Sequence, residues 1–291
     1  MSGVTLFNEP MGSHTTYRVG GSVASFTTLS STDDLLRWDN SAGREVRVVG
    51  NGSNLLVADG AHDIAVLHCA GALADLQWSE HASGVTIVAG AGMDLPRAAR
   101  LLAADGVSGF GWAVGVPGTF GGAVAMNAGG HGSDMAASVV SVTLWRSGAL
   151  CEIAATELAF GYRTSAISEE DVVLFVTLEL QRGDVEVETE LLRSIVRWRR
   201  EHQPGGANAG SVFRNPSGDT AGRLIDAVGA RGFRVGSAVV SPKHANFIIV
   251  DRDGAANDVF SLMHIVRQRV FEETGLWLQP ETKLWGFEEA L

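Results

Sequence analysis

Gly210-Ser211-Val212-Phe213-Arg214, running into Asn215-Pro216, sets a hydroxyl in a glycine-flanked turn with a cation and an amide beside it. That set suits proton donation to a bound molecule, because a neighbouring cation or ordered water can help replace the proton of a weakly acidic hydroxyl. The same residue types also make ordinary polar turns. Arg163, in Phe160-Gly161-Tyr162-Arg163, supplies a permanent charge that meets carboxylate oxygens in a two-pronged geometry or joins a surface ion pair. Glu281, after Pro280, is a solvated acid unless burial keeps it neutral, when it can donate a hydrogen bond to growing negative charge. Gly50-Asn51-Gly52-Ser53-Asn54 and the stretch from Gly115 through Pro117, Gly118, Thr119, Gly121 and Gly122 expose backbone N–H groups. Such turns cradle phosphate oxygens or simply reverse the chain, and spacing alone leaves both readings open.

Other chemistries fit less well. No Gly-Lys pair exists, so neither glycine turn is a P-loop, and Gly90-Ala91-Gly92 lacks the third glycine of a dinucleotide fingerprint. No metal site is expected: His-Glu-x-x-His is absent, and His62, His68 and Cys69 belong to a strand and its turn. The formal net charge of −11, with Lys243 and Lys283 the only lysines, disfavours nucleic acid. No apolar run approaches the roughly 18 residues of a membrane span, and Met1 to Met11 lacks the pattern of a signal peptide. A cytoplasmic protein with reduced cysteines is expected.

The elements that must position these groups are of mixed type. Strands are expected at 44–49, 63–68, 85–89, 139–145, 172–180 and 246–250, the 172–180 run being apolar enough to be buried on both faces. Helices are expected near 32–38, after a cap at Asp94 with Leu95, Ala98, Leu101 and Leu102 inward, at 187–201, at 220–228 and at 257–274. Gln203-Pro204-Gly205-Gly206 breaks the pattern and marks a domain boundary.

In order along the chain, several motifs resemble one flavoenzyme family, the UDP-N-acetylenolpyruvylglucosamine reductases (UDP-N-acetylmuramate dehydrogenases). They are Thr15-Thr16-Tyr17-Arg18-Val19-Gly20-Gly21, Gly50 to Val57, Val116-Pro117-Gly118-Thr119 through Asn127-Ala128-Gly129-Gly130, Phe160 to Ser165, Gly210 to Pro216, Ala221 to Ile225, and Val240 to Phe247. The similarity spans residues 8–286. Two positions depart from the family pattern, His131 standing for an aromatic residue and Arg214 for a lysine. An insertion carrying a substrate-closing tyrosine is missing, as in the shorter subclass.

The resemblance implies an α+β chain. A two-subdomain FAD-binding fold of the PCMH/VAO type would occupy 1–69, rejoined by 276–291, and 70–182, with an α+β substrate domain at 183–275. It implies noncovalent FAD held by Gly50, Asn51, Gly52, Ser53, Asn54, Gly115, Pro117, Gly118, Thr119, Gly121, Gly122, Asn127, Ala128 and Gly129, with NADPH as co-substrate. It implies reduction of an enolpyruvyl UDP-sugar for peptidoglycan synthesis, with Arg163, Ser211 and Glu281 catalytic and Tyr162, Arg214, Asn215, Lys243 and His244 touching substrate. A sugar or alcohol oxidase of the same flavin class commonly attaches its flavin through histidine or cysteine, whereas Ser22 follows Gly20-Gly21 here. A noncatalytic FAD or UDP-sugar sensor would not need the catalytic set.

Overall fold

The computed structural model describes residues 3–287, so the first two residues and the last four of the segments 1–69 and 276–291 lie outside the described residues. The chain forms two compact units, one of Met1–Phe7, Ser25–Gly50 and Asp63–Arg199, the other of Asn8–Ala24, Asn51–His62 and Arg200–Leu291.

The first unit is built on antiparallel pairing. Ala149–Ala154, Val139–Arg146, Val172–Arg182, Gly84–Gly90 and Leu76–His81 lie side by side in that order, with Phe175 opposite Gly90 and Leu180 opposite Val85. From Leu174 the inner strand alternates buried with half-buried residues. Only its first three residues are buried in succession, so the expectation of two covered faces fails beyond them, as antiparallel strands with one packed face require. A second sheet runs Val4–Pro10, Ser22–Leu29, Ala61–Cys69, Glu45–Val49, the last two parallel.

The helix Leu95–Ala104 buries Leu95, Ala98, Ala99, Leu102 and Ala103 against this core. Leu101, expected inward, is 40% exposed because the buried stripe runs through Ala99 and Ala103 instead. Asp94 is the N-cap by position but makes no side-chain cap bond; Pro96 serves the first turn. Burial pushes the Cys69 thiol up to about 12.

In the second unit Arg234–Val235, Ala238–Val240 and Ile248–Val250 form a small antiparallel sheet. The expected strand 246–250 thus starts two residues late, and Asn246 is spent on another task. The helix Ala256–Thr274 lays Val259, Leu262, Met263, Val266 and Val270 into the core beside Leu224 and Ile225 of Ala221–Ala227. Near its end the chain comes back as Lys283–Trp285 and pairs parallel with Leu55–Val57.

The long helix has no cap of its own, since Ala255 lacks a side-chain acceptor. Asp59, distant in sequence, supplies one: its carboxylate accepts from Ala256 N at 3.1 Å and Asn257 N at 2.9 Å. Asp59→Ala therefore removes a cap and lowers stability by about 1 kcal/mol. Urea unfolding of the two proteins checks this, and an unchanged midpoint would deny Asp59 the role.

Candidate active site

Ser211 and Glu281 are brought together within the second unit by main-chain pairing. Phe213 faces Pro280 in an antiparallel bridge. Arg214 N donates to Gln279 O at 2.8 Å, while Glu281 N and Thr282 N both donate to Val212 O, at 2.8 and 3.3 Å. Two residues against one is the pattern of a β-bulge, a device that re-aims side chains beside sites. Here it falls on Glu281 itself, one residue along the ladder from Ser211. Val212 and Phe213 are buried, whereas Ser211, Arg214 and Glu281 are partly open.

Asn54 holds the other edge of the acid. Its side-chain amide donates to Glu281 O at 2.9 Å and its own carbonyl accepts from Lys283 N at 2.9 Å. The side chain read from sequence as a cofactor contact therefore also ties its loop to Glu281. Gly52, with φ +56°, accepts from Thr16 N at 3.3 Å, and a Cβ there would lie 2.1 Å from His14 O. Only glycine fits.

Polar atoms in this unit also lack partners. The side-chain oxygens of Thr16 and Thr282 and the Nε of Arg214 are buried with no hydrogen-bond partner among the described residues. Buried polar groups are normally paired, so these atoms mark places that a bound molecule or ordered water completes.

Arg163 belongs to the first unit. Gly161 and Thr164 exchange hydrogen bonds, N to O at 3.0 and 3.3 Å, leaving Tyr162 and Arg163 at the tip of a tight turn. Arg163 takes φ +58°, a left-handed conformation that costs an L-residue roughly 1–2 kcal/mol. Its Nη2 donates to Gly129 O at 3.3 Å, and its guanidinium stands 5.5 Å from the ring centre of the 57% exposed Tyr162. A charged, strained tip residue beside an exposed ring is a functional signature more than a folding one.

The glycine turn of the first unit is anchored by Phe120, fully buried and stacked on Phe110 at 5.4 Å. Gly50 approaches Thr119 so closely that a Cβ would lie 2.3 Å from its Oγ1. Gly118 has φ +133°, and Gly122 faces open space. Phe120 N and Gly121 N donate to Met93 O and Ala91 O, while the amides of Gly118 and Gly122 have no protein partner among the described residues. Gly115 O accepts from Arg199, whose guanidinium burial pushes down in pKa. His131, 5.2 Å from the Trp198 ring, is likewise pushed down, first by desolvation and then by Arg199.

Asn127 plays a supporting part. Its Nδ2 donates to Asp134 Oδ2 at 3.2 Å and Gly161 O at 3.0 Å, and its Oδ1 accepts from Ala136 N at 3.0 Å. The side chain therefore fixes the Ala128–Gly129 loop and the Arg163 turn. Asn215 similarly accepts from Ala221 N at 3.0 Å and starts the helix Ala221–Ala227. Lys243 donates to Arg200 O at 2.6 Å. His244 accepts from Asn246 N at Nδ1, 3.3 Å, leaving Nε2 as its proton-bearing nitrogen, and burial followed by the Arg231 charge lowers its pKa. His244 is a neutral donor near neutral pH.

Sequence reasoning missed three features: the bulge at Glu281, the unpaired Thr282 hydroxyl and the pairing role of Asn246. Asparagine at the head of an expected strand was the available signal, because Asn is a poor strand former.

Comparison with known proteins bears on both units. The UDP-N-acetylenolpyruvoylglucosamine reductase C-terminal domain matches residues 202–285, and an FAD binding domain matches residues 12–149. The UDP-N-acetylenolpyruvoylglucosamine reductase of Synechococcus is 39% identical across 98% of this chain and 94% of its own length. That of Moorella thermoacetica is 39% identical across 97% and 93%. The crystal structure of the Thermus caldophilus enzyme superposes with a TM-score of 0.83 at 35% identity, covering 98% of this chain and 99% of its own.

The turn from Gly118 to Gly122 has the donors and the room that an FAD phosphate needs. Open space at Gly122, with two amides lacking protein partners, leaves donors for oxygen atoms that a Cβ or a competing carbonyl would block. Gly52→Val introduces a β-branched residue where φ is positive and His14 O stands in the way. The purified variant is expected to carry less flavin per protein, read from the ratio of flavin to protein absorbance. A parent-like ratio would show that this turn does not shape the cofactor site.

Proposed function

The chain belongs to the UDP-N-acetylenolpyruvoylglucosamine reductase family and is an FAD-dependent oxidoreductase of peptidoglycan precursor synthesis, and we propose that Arg163, Ser211 and Glu281 carry its second half-reaction. The observation that supports this assignment is the shared Val212 carbonyl, which sets Glu281 one residue along the ladder from Ser211.

A bound FAD would supply hydride transfer from NADPH to the terminal carbon of the substrate's enolpyruvyl double bond. Electron density then moves toward the substrate carboxylate as an enediolate-like dianion. Arg163 meets that growing charge with its guanidinium. In its protonated form Glu281 shares the load, donating its own hydrogen bond. Ser211 gives the hydroxyl proton to the neighbouring carbon, and the cation at Arg214 offsets the alkoxide left behind. Tyr162, Asn215, Lys243 and the neutral donor His244 bind the sugar and diphosphate.

The cofactor contacts we assign are the two glycine turns, Gly50, Asn51, Gly52, Ser53 and Asn54 in one and Gly115, Pro117, Gly118, Thr119, Gly121 and Gly122 in the other. Asn127, Ala128 and Gly129 act by shaping the adjoining loop. The functional division into FAD parts at 1–69 with 276–291 and at 70–182, and a substrate part at 183–275, belongs to the same proposal. Its support is the pairing of Lys283–Trp285 with Leu55–Val57, which returns the C-terminal segment to the first part. The acidic charge supports a protein that leaves nucleic acid alone. Among the described residues no helix is long and apolar enough to cross a membrane, in keeping with work in the cytoplasm on soluble substrates.

The half-reactions separate the roles. Ser211→Ala should bleach normally with NADPH, yet regain colour on adding substrate roughly 10²–10⁴ more slowly, the loss of a positioned acid. Glu281→Gln should lose roughly 10²–10³ in the same phase. Arg163→Gly should lose a similar factor while keeping its stability within about 1 kcal/mol, because glycine adopts the positive φ without strain. Stopped-flow traces with substrate reoxidising any of the three at the parent rate would remove that residue from the mechanism.

A further inference from the structure

The segment that carries Ser211 meets the Pro280 segment through an isolated main-chain bridge. The bonds of that bridge run from Arg214 N and Glu281 N, so the N–H and C=O of Phe213 point away from Pro280. Both groups are buried, Phe213 being 1% exposed, so each needs a partner. Asn246 supplies them. Its Oδ1 accepts from Phe213 N at 3.0 Å, its Nδ2 donates to Phe213 O at 2.8 Å, and its backbone carbonyl accepts from Val212 N at 2.9 Å. Asn246, 3% exposed, thus meets this open edge with both its amide and its own carbonyl.

Asn246 is itself rigidly set. Ser241 N donates to Phe247 O at 2.8 Å and Phe247 N to His244 O at 3.0 Å, closing the turn that holds it. The fully buried Ser241 hydroxyl accepts from Lys243 N at 3.1 Å and His244 N at 3.2 Å. The turn that presents Lys243 and His244 thus also grips the residues on either side of which Ser211 and Arg214 stand.

We propose that Asn246 is a positioning residue for proton delivery: its amide locks the register of Ser211–Arg214 and so holds the Ser211 hydroxyl on target. The inference rests on the reading of Ser211 as the acid. An amide is needed, not merely a polar group, because one acceptor and one donor must face Phe213 together. Asn246→Asp keeps the shape and the acceptor but turns the donor into a second oxygen facing Phe213 O.

Asn246→Asp is expected to bleach with NADPH at the parent rate and to be reoxidised by the enolpyruvyl substrate about 10² more slowly, the usual penalty for a misplacement of about 1 Å. Hydrogen–deuterium exchange at Val212 and Phe213 should quicken in the same protein. A structural defect elsewhere would multiply with loss of the acid, so the double variant with Ser211→Ala decides the point. It should be no slower than Ser211→Ala alone. Unchanged exchange at Val212 and Phe213, or losses that multiply in the double variant, overturns the proposal. Ser211→Ala alone reports on the acid itself, so the two failures are told apart. If Asn246→Asp does not accumulate as a folded flavoprotein, Asn246→Ser, which keeps an acceptor near Phe213 N, is put through the same comparison with the same criteria.

Discussion

A single carbonyl, that of Val212, carries the alignment of Ser211 with Glu281 in the second unit. It accepts from Glu281 N and from Thr282 N, and this doubled bond bends the returning C-terminal segment into a bulge at the acid. Everything around it follows from the rule that buried main-chain groups must be paired. Pro280 brings no N–H to the ladder, Phe213 turns its polar groups the other way, and Asn246 meets them. Asn54 closes the far side by holding Glu281 O. Two asparagine amides thereby fix two short segments that are too irregular to form a sheet.

The cost of this arrangement is concentrated where glycine or a strained residue must stand. Gly52 is squeezed against His14 O, Gly50 against Thr119, and Arg163 keeps a left-handed backbone at a turn tip that glycine would fill more comfortably. The chain spends helix and sheet regularity elsewhere, in the antiparallel strands of the first unit and the stripe of Val259, Leu262, Met263, Val266 and Val270 in the second. Stable layers support loops that carry function.

Periodicity revealed the long elements well where Leu95–Ala104, Ala256–Thr274 and Val172–Arg182 bury a repeating apolar set, whereas Val185–His202 buries only Leu192 and Ile195 of its apolar residues, beside Glu188. It missed the strands Val4–Pro10 and Ser22–Leu29: the first is exposed almost throughout, and the second buries Ser25 and Thr27 alongside its apolar residues, so burial there does not follow residue type. Leu101 misled because alanines, not leucines, complete the buried stripe of its helix. The ordered motifs gave the candidate residues, but not how they are held. The bulge at Glu281 depends on pairing between residues about seventy positions apart, and no local pattern encodes it. Asn127, Asn215 and Asn54 looked like ligand contacts by residue type, yet each makes a bond that shapes the protein.

The account stands on one claim above the rest, that this chain couples NADPH oxidation to reduction of an enolpyruvyl UDP-sugar through a noncovalent flavin. An anaerobic visible spectrum of the purified protein tests it directly. Colour should fade on adding NADPH, stay faded, and return on adding the enolpyruvyl UDP-sugar, with the flavin released into solution on denaturation. A protein that bleaches but is not reoxidised by that substrate, or that has no flavin to bleach, contradicts the claim.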